Sequence, residues 1–406
     1  MTIRRSANNK KVIIAATALL LAAAMTLPLA SCKKKATTDG EESGANSFDA
    51  VTTELVVETA EPEVEYPEPS YAHGSAFSFV KKSMGTRPQY INPLTGNASQ
   101  TDLTNTRPVA IMINNISQAM PQIGISGADV LYECLAEGGI TRLLMVTRDY
   151  ASLGTIGSVR SSREYYIDFA MNHDAIYVHA GGSDEAYSQI LRREIDHLDG
   201  VRADARTGRN VSGTVFYRDP DRLKTMSYEH TLVTTGERIA NGVAEMGYTT
   251  TVSAGFNEPI KPIDWGWGVS LNGENATHIK VPYRSNTVSE YEYDAATGRY
   301  LRYQYNHQPH IDGTTDEQLA FENIIILKLD HRNTGDSYGH LAVSTVGDGE
   351  GWYITGGKRI PIRWSKVSQS DAMTISDMEG NPIIVNQGKT VINIADSGVY
   401  SSVTFN

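Results

Sequence analysis

Apolar and polar positions follow three different rhythms along this chain. From Val12 to Ser31 no charged residue interrupts the sequence. Between about 106 and 248, short apolar runs alternate with longer stretches of helical spacing. "PVAIMIN" (108–114), "ITRLLMVTRDY" (140–150) and "AIYVHA" (175–180) are short and apolar enough to be buried strands. "SREYYIDFAMNHD" (162–174) puts Tyr166, Phe169 and Ala170 on one helical face. "SDEAYSQILRREI" (183–195) and "GERIANGVAEMG" (236–247) also read as helices, with the apolar segment "GTVFYRD" (213–219) between them.

"SGADVLYECLAEGG" (126–139) supports two readings. As a helix it has a capping box in Ser126 and Asp129, a glycine stop at Gly138, and Val130, Leu131, Cys134 and Leu135 on one face. As a strand it is half of a hairpin turning at Gly138-Gly139. The helix is the preferred reading. Strands and helices alternating at this spacing predict an α/β N-terminal domain over 106–248, a mostly parallel sheet with flanking helices.

Beyond 249 the period shortens to two. "EYEYDAATGRYLRYQY" (290–305) is a pair of alternating strands around a glycine turn, and "ENIIILKLDH" (322–331), "GWYITGGKRIPIRW" (351–364), "AMTISDMEGNPIIV" (372–385) and "GKTVINIAD" (388–396) continue the pattern. These predict a mainly antiparallel β C-terminal domain over 249–406, with one short helical interruption near "TDEQLAF" (315–321).

The start of the chain reads as an export signal over 1–32. Arg4, Arg5, Lys10 and Lys11 precede the uncharged run, which closes on Leu29-Ala30-Ser31-Cys32. That ending matches a bacterial lipobox, so Cys32 is the expected lipidation site and the membrane the expected anchor. A permanent span is the alternative, since twenty uncharged residues can cross a bilayer; Pro28 and the small residues before Cys32 speak against it. Residues 33–105 open with Lys33-Lys34-Lys35, suited to headgroups, and pass into acidic, proline-bearing sequence that predicts a disordered tether. The whole chain carries a formal net charge of −11, from 36 Lys and Arg against 47 Asp and Glu; losing the four bases of the signal takes it to −15. An acidic, exported chain is a poor partner for nucleic acid, and an anionic ligand needs a local cationic site.

Ligands of open parallel sheets gather beyond the carboxyl ends of the strands. Asn114 and Asn115, the loop 151–162 and "HAGGS" (179–183) are predicted to lie there. Arg160 and Arg163 stand at a helix start, where the macrodipole is already positive, so a negative group is expected between them. An internal carboxylate, Glu164 or Asp168, satisfies this requirement, and so does an external anion. In the external case Asn114, Asn115, Ser158, Arg160, Ser161, Ser162, Arg163, His179 and Ser183 form the candidate site, with helix starts and serine caps offering free N–H groups. Glu133 and Glu137, with Asp168, are the weaker candidates for a glycoside-cleaving acid pair. Cys134 lacks an intrachain disulfide partner once Cys32 is lipidated. No G-x-S-x-G elbow, H-E-x-x-H helix, C-x-x-C pair or Walker loop occurs, and the histidines lack metal spacing, so no cofactor or metal is expected.

"RPVAIMINN" (107–115), "GADVLYECLAEGGITR" (127–142), "GSVRSSREYYIDFAMNHDAIYVHAGGS" (157–183) and "GKTVINI" (388–394) resemble the YerB-like bacterial lipoproteins. The resemblance implies an N-terminal and a C-terminal domain, both of unknown function, and an envelope location; it brings no chemistry with it. The function expected is therefore binding: a lipid-anchored, extracytoplasmic module that recognises an anionic cell-envelope component or an envelope protein. A cell-wall glycan hydrolase or transferase is one alternative, and a protein–protein scaffold offering a β edge is another.

Overall fold

The computed structural model describes residues 64–406, and the expected signal, Cys32 and the first part of the tether lie outside them. The strands that matter here are β1 (Phe77–Lys81), β2 (Val109–Asn115), β3 (Val130–Leu135), β4 (Thr141–Thr147), β5 (Ile176–His179), β6 (His197–Asp199), β7 (Trp267–Leu271), β8 (His278–Arg284), β9 (Thr287–Asp294), β10 (Arg299–Gln304), β11 (Asn323–Lys328), β12 (Gly347–Thr355), β13 (Lys358–Lys366) and β14 (Thr390–Ala395). The longer helices are α1 (Glu164–Met171), α2 (Asp184–Arg192) and α3 (Gly236–Met246).

An eleven-stranded sheet organises the molecule, with the central order β13-β12-β11-β14-β3-β4-β2-β5-β6. The pairs β11–β14, β14–β3, β2–β5 and β5–β6 are parallel. The pairs β13–β12, β12–β11, β3–β4 and β4–β2 are antiparallel. A second, six-stranded sheet contains the antiparallel run β8-β9-β10.

Strand β2 explains why the apolar runs look continuous. Ala110 and Met112 face one side, packing with Tyr166, Phe169 and Ile190 of α1 and α2. Val109, Ile111 and Ile113 face the other, packing with Ile239 and Val243 of α3 and with Val281 and Tyr291 of the second sheet. Both faces are buried, so every position from Val109 to Ile113 is apolar.

This arrangement corrects the expected fold class. The N-terminal half is not a mostly parallel α/β domain, because its sheet is mixed and strands dominate the chain. The decisive segment is 126–139. Val130–Leu135 is a strand with all six residues buried, and the chain turns back through Gly138 and Gly139, at φ 72° and 73°. A doubly buried strand shows no alternation, and its apolar residues happen to meet a helical spacing as well. Asp129 takes no part in a capping box; its carboxylate accepts from Asn92 Nδ2 (2.9 Å) and the Arg148 N–H (2.8 Å).

The large sheet crosses the expected boundary at 248/249. Strand β14 pairs with β3 on one side and β11 on the other, so a break at 248/249 would divide one sheet. Of the stretch expected as tether, residues 77–81 pair with β7, and Phe77 and Leu94 are buried core. No helix forms at 315–321; Ala320–Phe321 is a strand beside Tyr300 and Leu301.

Candidate functional site

The segment 157–163 wedges between β2 and β5 where these parallel strands end. The Asn114 N–H donates to Ser158 O (3.0 Å) and the Arg160 N–H to Met112 O (2.9 Å). On the other side, Arg160 O accepts from the Ala180 N–H (3.0 Å) and the Ser162 N–H donates to Gly181 O (2.8 Å). The backbone thus places Arg160, Ser161 and the Gly181-Gly182 turn side by side. Helix α1 begins at Glu164 with Arg163 as its N-cap and no side-chain cap, whereas Ser183 caps α2 by accepting from the Ala186 N–H (3.2 Å).

A carboxylate does answer Arg163, and it is Glu137 rather than Glu164 or Asp168. Arg163 donates through Nε to Glu137 Oε2 (3.0 Å) and through a terminal nitrogen to Oε1. Arg142 joins them, with its Nη2 at 2.6 Å from Glu137 Oε1 and its Nη1 donating to Ser161 O (2.8 Å). Burial would raise the Glu137 pKa, but Arg142 and Arg163 outweigh it and hold it at about 2. Asp168 is committed elsewhere, to Arg193 (2.5 Å) and Thr345 (2.5 Å).

Arg160 is different. Its side chain is partly exposed, and among the described residues it pairs with no carboxylate. Its charge reaches both Arg142 and His230, lowering the pKa of each after burial has done so. Two guanidiniums therefore share Glu137, and the third, partly open to solvent, has no anion of its own among the described residues.

The other expected site residues face inwards. Asn114 Nδ2 meets His230 Nδ1 (3.0 Å), and Asn115 Nδ2 donates to Thr141 Oγ1 (2.8 Å). Ser158 and Ser162 are buried; Tyr177 donates to Ser162 Oγ (2.9 Å), and Ser158 Oγ has no partner. His179 is buried between Gly181 O and His197. Of the nine, Arg160 and Ser161 alone remain partly open to solvent.

Glu133 cannot act on a substrate. It lies 2.8 Å from Arg302 Nη2 in a buried network, where Ser289, Thr141 and Asn115 also donate to its carboxylate. Arg302 was not among the sequence candidates, nor was Arg142. Arg302 sits in alternating strand sequence at an inward position, and Arg142 stands near the start of a largely apolar, fully buried strand; an arginine at an inward position was the available signal.

Residues 94–249 match the family described as "Protein of unknown function (DUF3048) N-terminal domain", and 279–392 match the corresponding C-terminal domain. The chain belongs to the DUF3048 family. It is 30% identical over 305 residues to "Putative lipoprotein YerB" of Bacillus subtilis (strain 168), covering 74% of this chain and 85% of that protein. The crystal structure of YerB from Bacillus subtilis superposes with a TM-score of 0.65 at 27% identity, covering 78% of this chain and 99% of that one. The two DUF3048 matches share the large sheet: β3 falls in the first, and β14 begins in the second.

Proposed function

We propose that this DUF3048 protein is a lipid-anchored, extracytoplasmic binding module that takes an anionic cell-envelope component at Arg160. The observation that carries the reading is the charge imbalance at the ends of β2 and β5. Arg142 and Arg163 both pair there with one carboxylate, Glu137, and Arg160, close enough for its charge to reach Arg142, adds a third guanidinium without a second carboxylate. In a chain of net charge −11, such a patch is a local exception, and a partly exposed guanidinium without an ion partner favours a phosphate or carboxylate. The lipid anchor rests on the lipobox at Cys32 and on the relative's name. The glycan-hydrolase alternative finds no support here, since Glu133 and Glu137 are each engaged by arginines and Asp168 is buried against Arg193.

The test is titration of the full-length chain with inorganic phosphate and with purified anionic wall polymer. Arg160→Ala should weaken binding about ten- to hundredfold, the worth of one charge-assisted hydrogen bond. It should leave the melting temperature unchanged. Equal affinities for the two proteins would overturn the anion site.

A further inference from the structure

Helix α2 and the turn at 200–206 enclose a second concavity, of about 370 Å³, beside the edge strand β6. Ile190, Leu191, Ala203 and Ala205 give it apolar walls. Tyr187 forms another wall, anchored by its hydroxyl to Asp199 Oδ2 (2.7 Å). Arg202 lies 4.1 Å over that tyrosine ring and, among the described residues, pairs with no carboxylate. Arg206 is engaged by Asp204 (3.1 Å) and Asp196 (3.7 Å).

His197 also lines the cavity and is only 4% exposed. Its proton positions follow from its neighbours. His179 Nδ1 stands 2.8 Å from Gly181 O, an acceptor, so that nitrogen carries the hydrogen. His179 Nε2 then accepts, and His197 Nδ1, 3.0 Å away, must donate to it. Neutral His197 is left with a bare Nε2. Asp204 Oδ2 stands 3.5 Å away, another acceptor, whose carboxylate already receives Arg206, Tyr248 and the Thr207 N–H. A nine-tenths-buried acceptor therefore faces the cavity without a donor, which is costly unless something supplies one.

We infer that this cavity binds a small aromatic carboxylate with a hydrogen-bond donor at its far end, a phenol- or indole-type acid. The donor serves His197 Nε2, the ring lies between Tyr187 and the aliphatic walls, and the carboxylate meets Arg202. Size agrees, since the volume falls within the range of small-ligand pockets. This site is separate from Arg160 and stands or falls without it.

The experiment titrates the full-length chain at neutral pH with 4-hydroxyphenylacetate, phenylacetate and tyramine, following heat and the histidine side-chain resonances. 4-Hydroxyphenylacetate should bind and shift the His197 signals. Phenylacetate, lacking the donor, should bind about five- to tenfold more weakly. Tyramine, a cation, should not bind. Arg202→Gln, at an exposed position, should weaken binding of 4-hydroxyphenylacetate about tenfold or more at an unchanged melting temperature. Ala203→Trp should fill the cavity and abolish it. The proposal is overturned if millimolar 4-hydroxyphenylacetate leaves His197 unshifted, if phenylacetate or tyramine binds as well, or if binding survives Ala203→Trp.

Discussion

Glu133 and Arg302 meet at 2.8 Å with at most 1% of either side chain accessible; Ser289 donates to the carboxylate and His310 accepts from the guanidinium. Burial alone would lower the Arg302 pKa, but the Glu133 charge reverses the direction and raises it. His310 is locked neutral beside them: its Nδ1 accepts from Arg302 Nε (2.9 Å), so its Nε2 carries the hydrogen donated to Gln122 Oε1 (2.7 Å). Removing the carboxylate charge leaves a buried guanidinium unpaired. Glu133→Gln should therefore cost about 3–5 kcal/mol of stability, measured by urea unfolding. A loss below about 1 kcal/mol would show that water enters the network. The arginines of the candidate site should separate by the same measure. Arg163→Ala, which frees half of the Glu137 clasp, should lower the melting temperature, while Arg160→Ala should not. Equal losses would mean that Arg160 is a structural residue.

At the scale of elements, the β3–β4 hairpin turns on a residue with nothing near it. A Cβ on Gly138 would meet no atom within 4 Å, so its left-handed φ of 72° is the whole reason for glycine. Gly138→Ala should cost about 1–2 kcal/mol from that conformation alone. Gly138→Asn should cost less, because asparagine tolerates the region; thermal melts of the pair decide it. The same hairpin shows what could be read in advance. The runs at 109–115, 141–147 and 176–179 and the helices α1, α2 and α3 were legible, because length and period agreed. Val130–Leu135 was ambiguous, since burial on both faces erases the period-two signal that separates strand from helix. The candidate site was half legible. Two arginines at a helix start did demand an anion, but the one that came, Glu137, is a neighbour only because the segment carrying it is a hairpin. Pairing across strands is a property of the fold, and Arg142 and Arg302 entered the picture only with it.

The molecule as a whole should unfold in one step between 64 and 406, because β14 joins strands from both halves of the sequence. Two separated calorimetric transitions would restore a boundary near 248. Acid should weaken this unit well before carboxylates are neutralised. Burial holds His197 down to about 4, with the adjacent His179 adding to the effect, and burial also lowers His179 and His310. Unfolded histidines titrate near 6.5, so between that value and about 4 the unfolded chain takes up protons that the folded one refuses. Stability is thus full above pH 6.5 and falls as pH drops through this window. Glu137 and Asp204, both held at about 2, extend the loss below pH 4. Melting temperatures that stay level from about pH 7 to pH 5 would contradict this assignment of neutral histidines. Strand β14 also imposes an order in time. A chain made from its N-terminus holds β3 ready, with one edge bare, through all the synthesis that separates Val130 from Thr390. A chain stopped before Thr390 cannot cover that edge, so such a copy carries an open pairing template at the centre of the sheet. Loss of this one strand therefore exposes the middle of the sheet rather than its rim.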